Sequence, residues 1–462
     1  MAKHAVDIHQ ALMDPAAYPG PTGPIEHRET HISHLYLTQE FVYKIKKPLN
    51  LGFLDFTTLE RRRYFCEQEL VLNQRLCPDT YHQVVPIGRR GNDIRVGLAE
   101  DVLDYAVVMR RLPEDRMLDT LVAANTSDLP AAMDQLGQLL ADFHRQARVY
   151  SHADPTSNAS TVTGNWRENF VQTQAFIGRT LDLTTFNHLQ RSVERFLEEQ
   201  QRLLVQRQQE GFVRDGHGDL HSEHICLTEP IRIYDCIEFN ERFRIADIIA
   251  DLAFLLMDLE FRGRRDLSQL LLASYQARLD LGVGAERLLP FYKLYRAYVR
   301  AKVESILSDE AEVPIEIRSA AATRARQYFN LATAYLCQRP FCLLTCGLMG
   351  TGKTTLSLAL QKVIDADVWR SDVLRKELAG VPANSKCPAP YGLQEYSPTM
   401  TRLTYDRLLN ICLSSLESGR PAIADAAFSS SAERQRFRQA CEERGIPLFI
   451  VYLHCPEQET LV

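Results

Sequence analysis

The chain has 462 residues, 45% of them hydrophobic and 24% charged, with a formal net charge of −6, the balance of a folded globular protein rather than a disordered one. That length exceeds one ordinary core and predicts two domains, and the acidic balance argues against a general attraction to nucleic acid or anionic membrane. Eleven cysteines show no C-x-x-C pair, residues 1–23 lack the apolar core of a signal peptide, and no run reaches the ~18 apolar residues of a membrane span, so reduced thiols, no membrane partner and a cytoplasmic location are expected.

From Glu29 to about Val108, short β-rich runs (32–37, 41–45, 83–87, 94–97 and 105–109) surround one predicted helix over 58–76. Thr57 and Glu60 mark its start at the spacing of a capping box. From Leu118 to about Leu336 the pattern is mostly helical, with Leu136, Leu139, Leu140 and Phe143 at i, i+3, i+4 and i+7. A loop-and-strand segment from Gly211 to Phe239 interrupts it. Trp166, the aromatic stretch 291–298 and His144 read as core packing. After Gln338-Arg339-Pro340, strands at 341–346, 366–370, 421–425 and 448–453 alternate with helices from Lys353, over 399–418 and over 432–444, which predicts a parallel α/β sheet.

Gly347, Gly352, Lys353 and Thr354 spell G-x-x-x-x-G-K-T directly after the apolar run Phe341 to Cys346. This is the signature of a phosphate-binding loop: glycines let backbone amides curl around phosphates, the following helix points its positive end at them, and a lysine neutralises the terminal charge. Gly347, Gly350, Thr351, Gly352, Lys353, Thr354 and Thr355 are therefore expected to hold ATP, with Thr354 also on Mg²⁺.

A second constellation lies upstream. His217-Gly218-Asp219 is followed by His224 and, after one short strand, by Asp235. The spacing suggests a kinase catalytic loop, in which an Asp orients the acceptor hydroxyl while a residue five positions on and a later Asp hold metal. Those places fall to Asp219, His224 and Asp235. Two other readings stay open: His217, His221 and His224 as a zinc site with Asp219 or Glu223, and Asp219 as a turn carboxylate.

The set resembles the aminoglycoside phosphotransferase-like kinases, a superfamily that includes choline and sugar kinases. The resemblance extends to Arg244-Ile245-Ala246-Asp247 and to Asp251, whose counterpart braces the catalytic loop, and upstream to Phe41-Val42-Tyr43-Lys44. It implies an α+β, two-lobed kinase-like domain over 1–335, with lobes at about 25–108 and 112–335. Lys44 is implied as the phosphate-binding lysine, held by Glu67 or Glu69, and Met109 as the strand residue whose backbone meets adenine. Thr30 and Ser33 replace a glycine-rich loop, and Glu238 offers a further carboxylate oxygen for metal. His224 departs from the family's Asn; imidazole suits Zn²⁺ or Mn²⁺ better than Mg²⁺.

Residues 336–462 resemble P-loop kinases of the AAA, zeta-toxin and polynucleotide-kinase kind, an α/β domain with a parallel sheet. Asp372 is implied as base, Arg375 as phosphate or substrate clamp, and Asp425 as the strand-end carboxylate that holds Mg²⁺, unless it is only a turn residue. The chain stops at Leu461-Val462, where the lid helix is expected to begin, so this domain is expected to be incomplete and slow in turnover.

The whole chain thus resembles a bacterial two-domain protein. The resemblance implies ATP, Mg²⁺ and a small-molecule hydroxyl acceptor, with a bifunctional phosphotransferase as the main reading. An ATP-binding regulatory switch is the alternative, as is 5′-hydroxyl polynucleotide kinase activity in the second domain.

Overall fold

The computed structural model describes residues 8–20, 22–150, 159–336, 340–364, 366–380, 397–417 and 420–454. It divides into two compact units, residues 1–175 with 193–299 and residues 176–192 with 300–462. Residues 176–192 and 300–335, expected in the kinase-like domain, fall in the second unit.

The first unit begins with a six-stranded antiparallel sheet in the order β1-β2-β3-β6-β4-β5, formed by β1 (Glu26–Glu29), β2 (Ser33–Leu37), β3 (Phe41–Lys46), β4 (Tyr81–Arg90), β5 (Asp93–Val96) and β6 (Val102–Arg110). Strand β3 shows how two-residue periodicity builds a site. Tyr43 and Ile45 enter a core with Tyr36, Ile87, Ala106 and Val108, so Lys44 and Lys46 must face the other way. That face is covered by helix α1 (Leu59–Asn73), whose Cys66 packs with Tyr81 and Val107.

Helix α1 starts one residue later than its capping signature suggests. The Thr58 hydroxyl, not that of Thr57, accepts from Arg61 N at 3.2 Å, because Thr57 is drawn back into a turn in which Asp55 Oδ1 accepts from both its amide and its hydroxyl.

After the sheet the chain is mainly helical: α2 (Leu118–Ala124), α3 (Leu129–Gln146), α4 (Ala159–Thr173) and α5 (Leu183–Gln209), which joins the first unit from Val193, precede the short strands β7 (Val213–Asp215), β8 (Ile225–Cys226) and β9 (Arg232–Ile233). Then come α6 (Glu241–Arg244), β10 (Ile245–Asp247), α7 (Ile248–Phe261), α8 (Arg265–Arg278) and α9 (Ala285–Asp309), which belongs to the first unit as far as Val299. Helix α7 is buried from Ile248 to Leu259, which accounts for the most apolar stretch of the sequence as an interior helix. Trp166 stacks on Phe170 and meets Phe291, Tyr295 and Tyr298, as its spacing predicts.

The second unit contains α10 (Ile315–Ala334) and a four-stranded parallel sheet in the order β12-β13-β11-β14, from β11 (Cys342–Cys346), β12 (Asp367–Arg370), β13 (Ala422–Asp425) and β14 (Leu448–Tyr452). Helices α11 (Lys353–Ile364), α12 (Ser371–Leu378), α13 (Pro398–Glu417) and α14 (Ser431–Glu442) connect or follow the strands. β11 is buried throughout, the near-continuous apolar run of a strand covered on both faces. The expected lid at Leu461-Val462 lies outside the described residues. Among the described residues, the eight cysteines are free and buried, and no helix is long and apolar enough to cross a membrane.

Candidate functional site

In the first unit the two lysines of β3 meet three carboxylates. Lys44 Nζ lies 2.8 Å from Glu69 Oε1 and 2.5 Å from Asp235 Oδ1. Lys46 Nζ lies 2.7 Å from Glu69 Oε2 and pairs also with Glu238. Burial pulls the Lys44 ammonium down, but the Asp235 and Glu69 charges outweigh it and hold the group above its ordinary range. Burial likewise pushes Glu69 up, and Lys44 and Lys46 together bring it below the usual range.

Two sequence expectations change here. Glu67 is not the lysine's partner: it pairs with Arg63 at 2.8 Å on the exposed face of α1, two residues and therefore about 200° around the helix from Glu69. Glu238 is not free for metal either, because its buried carboxylate is taken by Lys46. Lys46 itself carries no motif, and its partnership emerges only from the fold.

The loop of residues 216–224 is held by its backbone. Asp251, on α7, accepts from His217 N at 2.5 Å and Gly218 N at 2.8 Å. A Cβ at Gly216 would stand 2.3 Å from that carboxylate, which is why a glycine precedes the pair. His144 approaches Asp251 at 3.4 Å and bonds Tyr275 at 2.8 Å, so it is packed as expected and also supports the brace. Burial would raise Asp251, but the hydrogen bond and charge of His144, then His217 and Arg296, hold it well below the carboxylate range. Arg296 adds a bond to Gly218 O at 2.9 Å. His217 is occupied on both nitrogens, Nε2 by Tyr234 O at 3.0 Å and Nδ1 by Asp219 N at 3.3 Å. It therefore drops out of the three-histidine zinc reading.

Asp219, His224 and Asp235 come together. His224 Nδ1 bonds Asp219 O at 3.0 Å, which assigns the proton to Nδ1 and leaves the Nε2 lone pair facing Asp235 Oδ2 at 3.5 Å. Burial, then His221, lowers His224 below the ordinary imidazole range, against the Asp219 and Asp235 charges. Asp235 has φ +62°, uncommon outside glycine. Its amide donates to Tyr81 Oη at 3.3 Å, and the next amide, of Cys236, to Asn73 Oδ1 at 2.9 Å. Tyr81 and Asn73 are positioning residues without a sequence signature.

His224 Nε2 and Asp235 Oδ2 are the donors that would hold a divalent ion here. That mixed nitrogen and oxygen set suits Mn²⁺ better than Mg²⁺. Asp219, His221 and His224 form a second overlapping donor set.

Other expected residues sit differently. Met109 lies inside the sheet, opposite Val42 on one side and Tyr81 on the other. Backbone bonds run on through Arg110 N to Thr80 O and Arg111 N to Glu40 O, which moves the hinge toward Leu112. Thr30 closes its own turn, its hydroxyl accepting from Ser33 N at 3.0 Å, and Ser33 is fully buried, so neither hydroxyl is presented to a phosphate.

In the second unit, the loop 347–352 joins β11 to α11 and takes the left-handed backbone its glycines allow, with φ of +145°, +84° and +84° at Gly347, Gly350 and Gly352. A Cβ at Gly347 would meet Leu453 O at 2.4 Å. Lys353 Nζ bends back to Leu348 O at 2.5 Å, as does the Thr351 hydroxyl at 2.9 Å. Thr355 is exposed on the first turn of α11. The Thr354 hydroxyl donates to Asp425 Oδ2 at 2.6 Å, giving an all-oxygen pair of the kind Mg²⁺ favours.

The ends of the parallel strands gather the remaining residues, where α/β sheets bind ligands. Thr345, Asp425 and Arg370 are in register across β11, β13 and β12. Asp372 follows on α12, exposed and paired with Arg370 at 2.7 Å. Arg375 reaches the Thr401 hydroxyl at 3.2 Å.

Comparison with known proteins agrees with both halves. The profile of the phosphotransferase enzyme family matches residues 83–291, and that of an AAA domain matches residues 343–461. Among solved structures, aminoglycoside 2′-phosphotransferase-IIIa in its GDP complex aligns over 70% of this chain and 98% of its own, at 14% identity and a TM-score of 0.42. A choline/ethanolamine kinase family protein from Mesorhizobium loti aligns over 71% and 99%, at 14% identity and a TM-score of 0.41. The protein Rv2004c of Mycobacterium tuberculosis (strain H37Rv) and Mb2027c of Mycobacterium bovis are each 32% identical over 423 residues, covering 91% of this chain and 80% of theirs. The chain belongs to the family of these mycobacterial proteins and is a kinase, with an aminoglycoside phosphotransferase-like domain followed by a P-loop AAA domain.

Proposed function

We propose that the chain is a bifunctional ATP-dependent phosphotransferase whose first domain phosphorylates a small-molecule hydroxyl, and whose second binds its own ATP. One arrangement carries this reading: Lys44, backed by Glu69, meets Asp235, while Asp219 stands close by on a loop fixed by Asp251. In the transfer, the acceptor oxygen bonds to the γ-phosphorus, the bond to the ADP oxygen breaks, and the hydroxyl proton passes to the Asp219 carboxylate. Lys44 orients the phosphates, and backbone just past Met109 receives the adenine edge. His224 and Asp235 here, and Thr354 and Asp425 in the second domain, would hold a divalent ion, which would supply charge neutralisation.

Positioning and charge do most of the work in such reactions. In the second domain Gly347 to Thr355 cradle the phosphates, Lys353 neutralises them, Asp372 serves as base and Arg375 as clamp. The cavity beside the catalytic loop is lined by Asn165, Arg242, Phe243, Tyr295 and Arg296. Among the described residues its one carboxylate, Asp247, is already bound by Arg207 at 2.6 and 2.9 Å. That lining favours a neutral or anionic hydroxyl compound over a polycation.

ATP consumption by the full chain, measured against sugars, amino alcohols, nucleosides and aminoglycosides, tests the proposal. Turnover stimulated by a sugar or nucleoside and lost in Asp219→Asn supports it. Hydrolysis indifferent to every acceptor and lost only in Lys353→Ala supports the second reading, an ATP-driven switch, which the imidazole of His224 at a metal position favours.

A further inference from the structure

On the face of the first unit's sheet opposite Lys44, the hairpin of β1 and β2 gathers two histidines and a glutamate. His27 and Glu29 are two residues apart on β1, and the register sets Glu29 opposite His34 and His27 opposite Tyr36. His27 Nε2 lies 3.2 Å from His34 Nδ1, His34 Nδ1 lies 3.5 Å from Glu29 Oε1, and His27 Nε2 lies 4.0 Å from the same oxygen. A point equidistant from these three atoms is about 2.1 Å from each, which is the length of Zn–N and Zn–O bonds.

We propose that His27, Glu29 and His34 form a binding site for a divalent ion of the zinc class. Two imidazoles and one carboxylate select Zn²⁺, Ni²⁺ or Cu²⁺ over Mg²⁺ and Ca²⁺, whose ligands are oxygens.

The surroundings prepare the donors. Lys47 Nζ holds the other Glu29 oxygen at 2.9 Å and Thr30 O at 2.8 Å, turning Oε1 toward the histidines. His9, whose ring centre is 4.5 Å from that of His27 and whose Nδ1 bonds Tyr36 Oη at 2.9 Å, closes one side. The three ligands leave a further position for water. An ion here ties β1 to β2 at the base of the turn formed by residues 30–32, so it stiffens the hairpin.

The test is equilibrium dialysis of the full chain against Zn²⁺ in excess Mg²⁺, counting bound zinc in the wild type, His27→Gln, His34→Gln and His224→Asn. The proposal expects His27→Gln and His34→Gln each to lose one zinc per chain at a concentration that saturates the wild type. It expects His224→Asn to keep that zinc, which separates this site from the Asp219, His221 and His224 donors. Circular dichroism of the metal-free proteins checks folding; if either histidine variant is unfolded, Glu29→Gln takes its place with the same expected loss. No zinc on the wild type, or equal zinc on the wild type and the folded hairpin variants, overturns the proposal.

Discussion

The Lys44 ammonium and the Glu69 carboxylate are both buried, 2.8 Å apart. Because Glu69 also holds Lys46, replacing it leaves two buried cations short of one anion. Glu69→Gln should destabilise the first domain by about 3–5 kcal/mol, the cost of breaking a buried pair from one side. Glu67→Gln, on the exposed face, should change stability by no more than about 0.5 kcal/mol. Urea denaturation of the two variants side by side checks both numbers.

His217 gives the fold a pH dependence of known sign. Burial, only partly opposed by the Asp251 charge, pushes it down to about 4. Between an unfolded value of about 6.5 and that folded value, the unfolded chain takes up a proton that the folded chain refuses. Stability is therefore full above about pH 6.5 and falls as the pH drops toward 4, by up to about 3 kcal/mol from this group. The geometry explains the refusal: a proton on Nδ1 would displace the amide of Asp219. Denaturation midpoints at pH 7.5 and 5.0 should differ less in His217→Gln than in the wild type.

Metal preference should follow His224. With imidazole and Asp235 as the donors, Mn²⁺ is expected to support more phosphotransfer than Mg²⁺. His224→Asn restores an oxygen donor and should shift the Mg²⁺-to-Mn²⁺ activity ratio upward by about tenfold. Initial rates in each metal, at saturating ATP, measure the ratio.

Thr354 and Asp425 should couple nucleotide affinity to magnesium in the second domain. Thr354→Val removes the hydroxyl that meets Asp425 and should weaken Mg–ATP binding there by about tenfold, or ~1.4 kcal/mol. Affinity without magnesium should stay the same. Calorimetric titration with and without the metal separates the two effects.

Much of this was legible in residue order. The P-loop and the Asp219, Asp235 and Asp251 set are local strings whose spacing is imposed by turns and short strands, so their chemistry survives in one dimension. The phase of α1 was not, since Glu67 and Glu69 differ only in which side of the helix they occupy. Lys46 and Glu238 acquire meaning through burial, which no motif encodes. His27 and His34, seven residues apart in the chain, meet diagonally across β1 and β2, and only once the hairpin has formed. Thr57 and Thr58 both satisfy a capping rule, and the competing turn at Asp55 decides between them.

If two separate sites each hold a triphosphate, a non-hydrolysable ATP analogue bound with a divalent metal and counted per chain will report both. Two molecules should bind to the wild type, with one lost in Lys44→Met and the other in Lys353→Ala. A count that neither substitution changes would contradict the account.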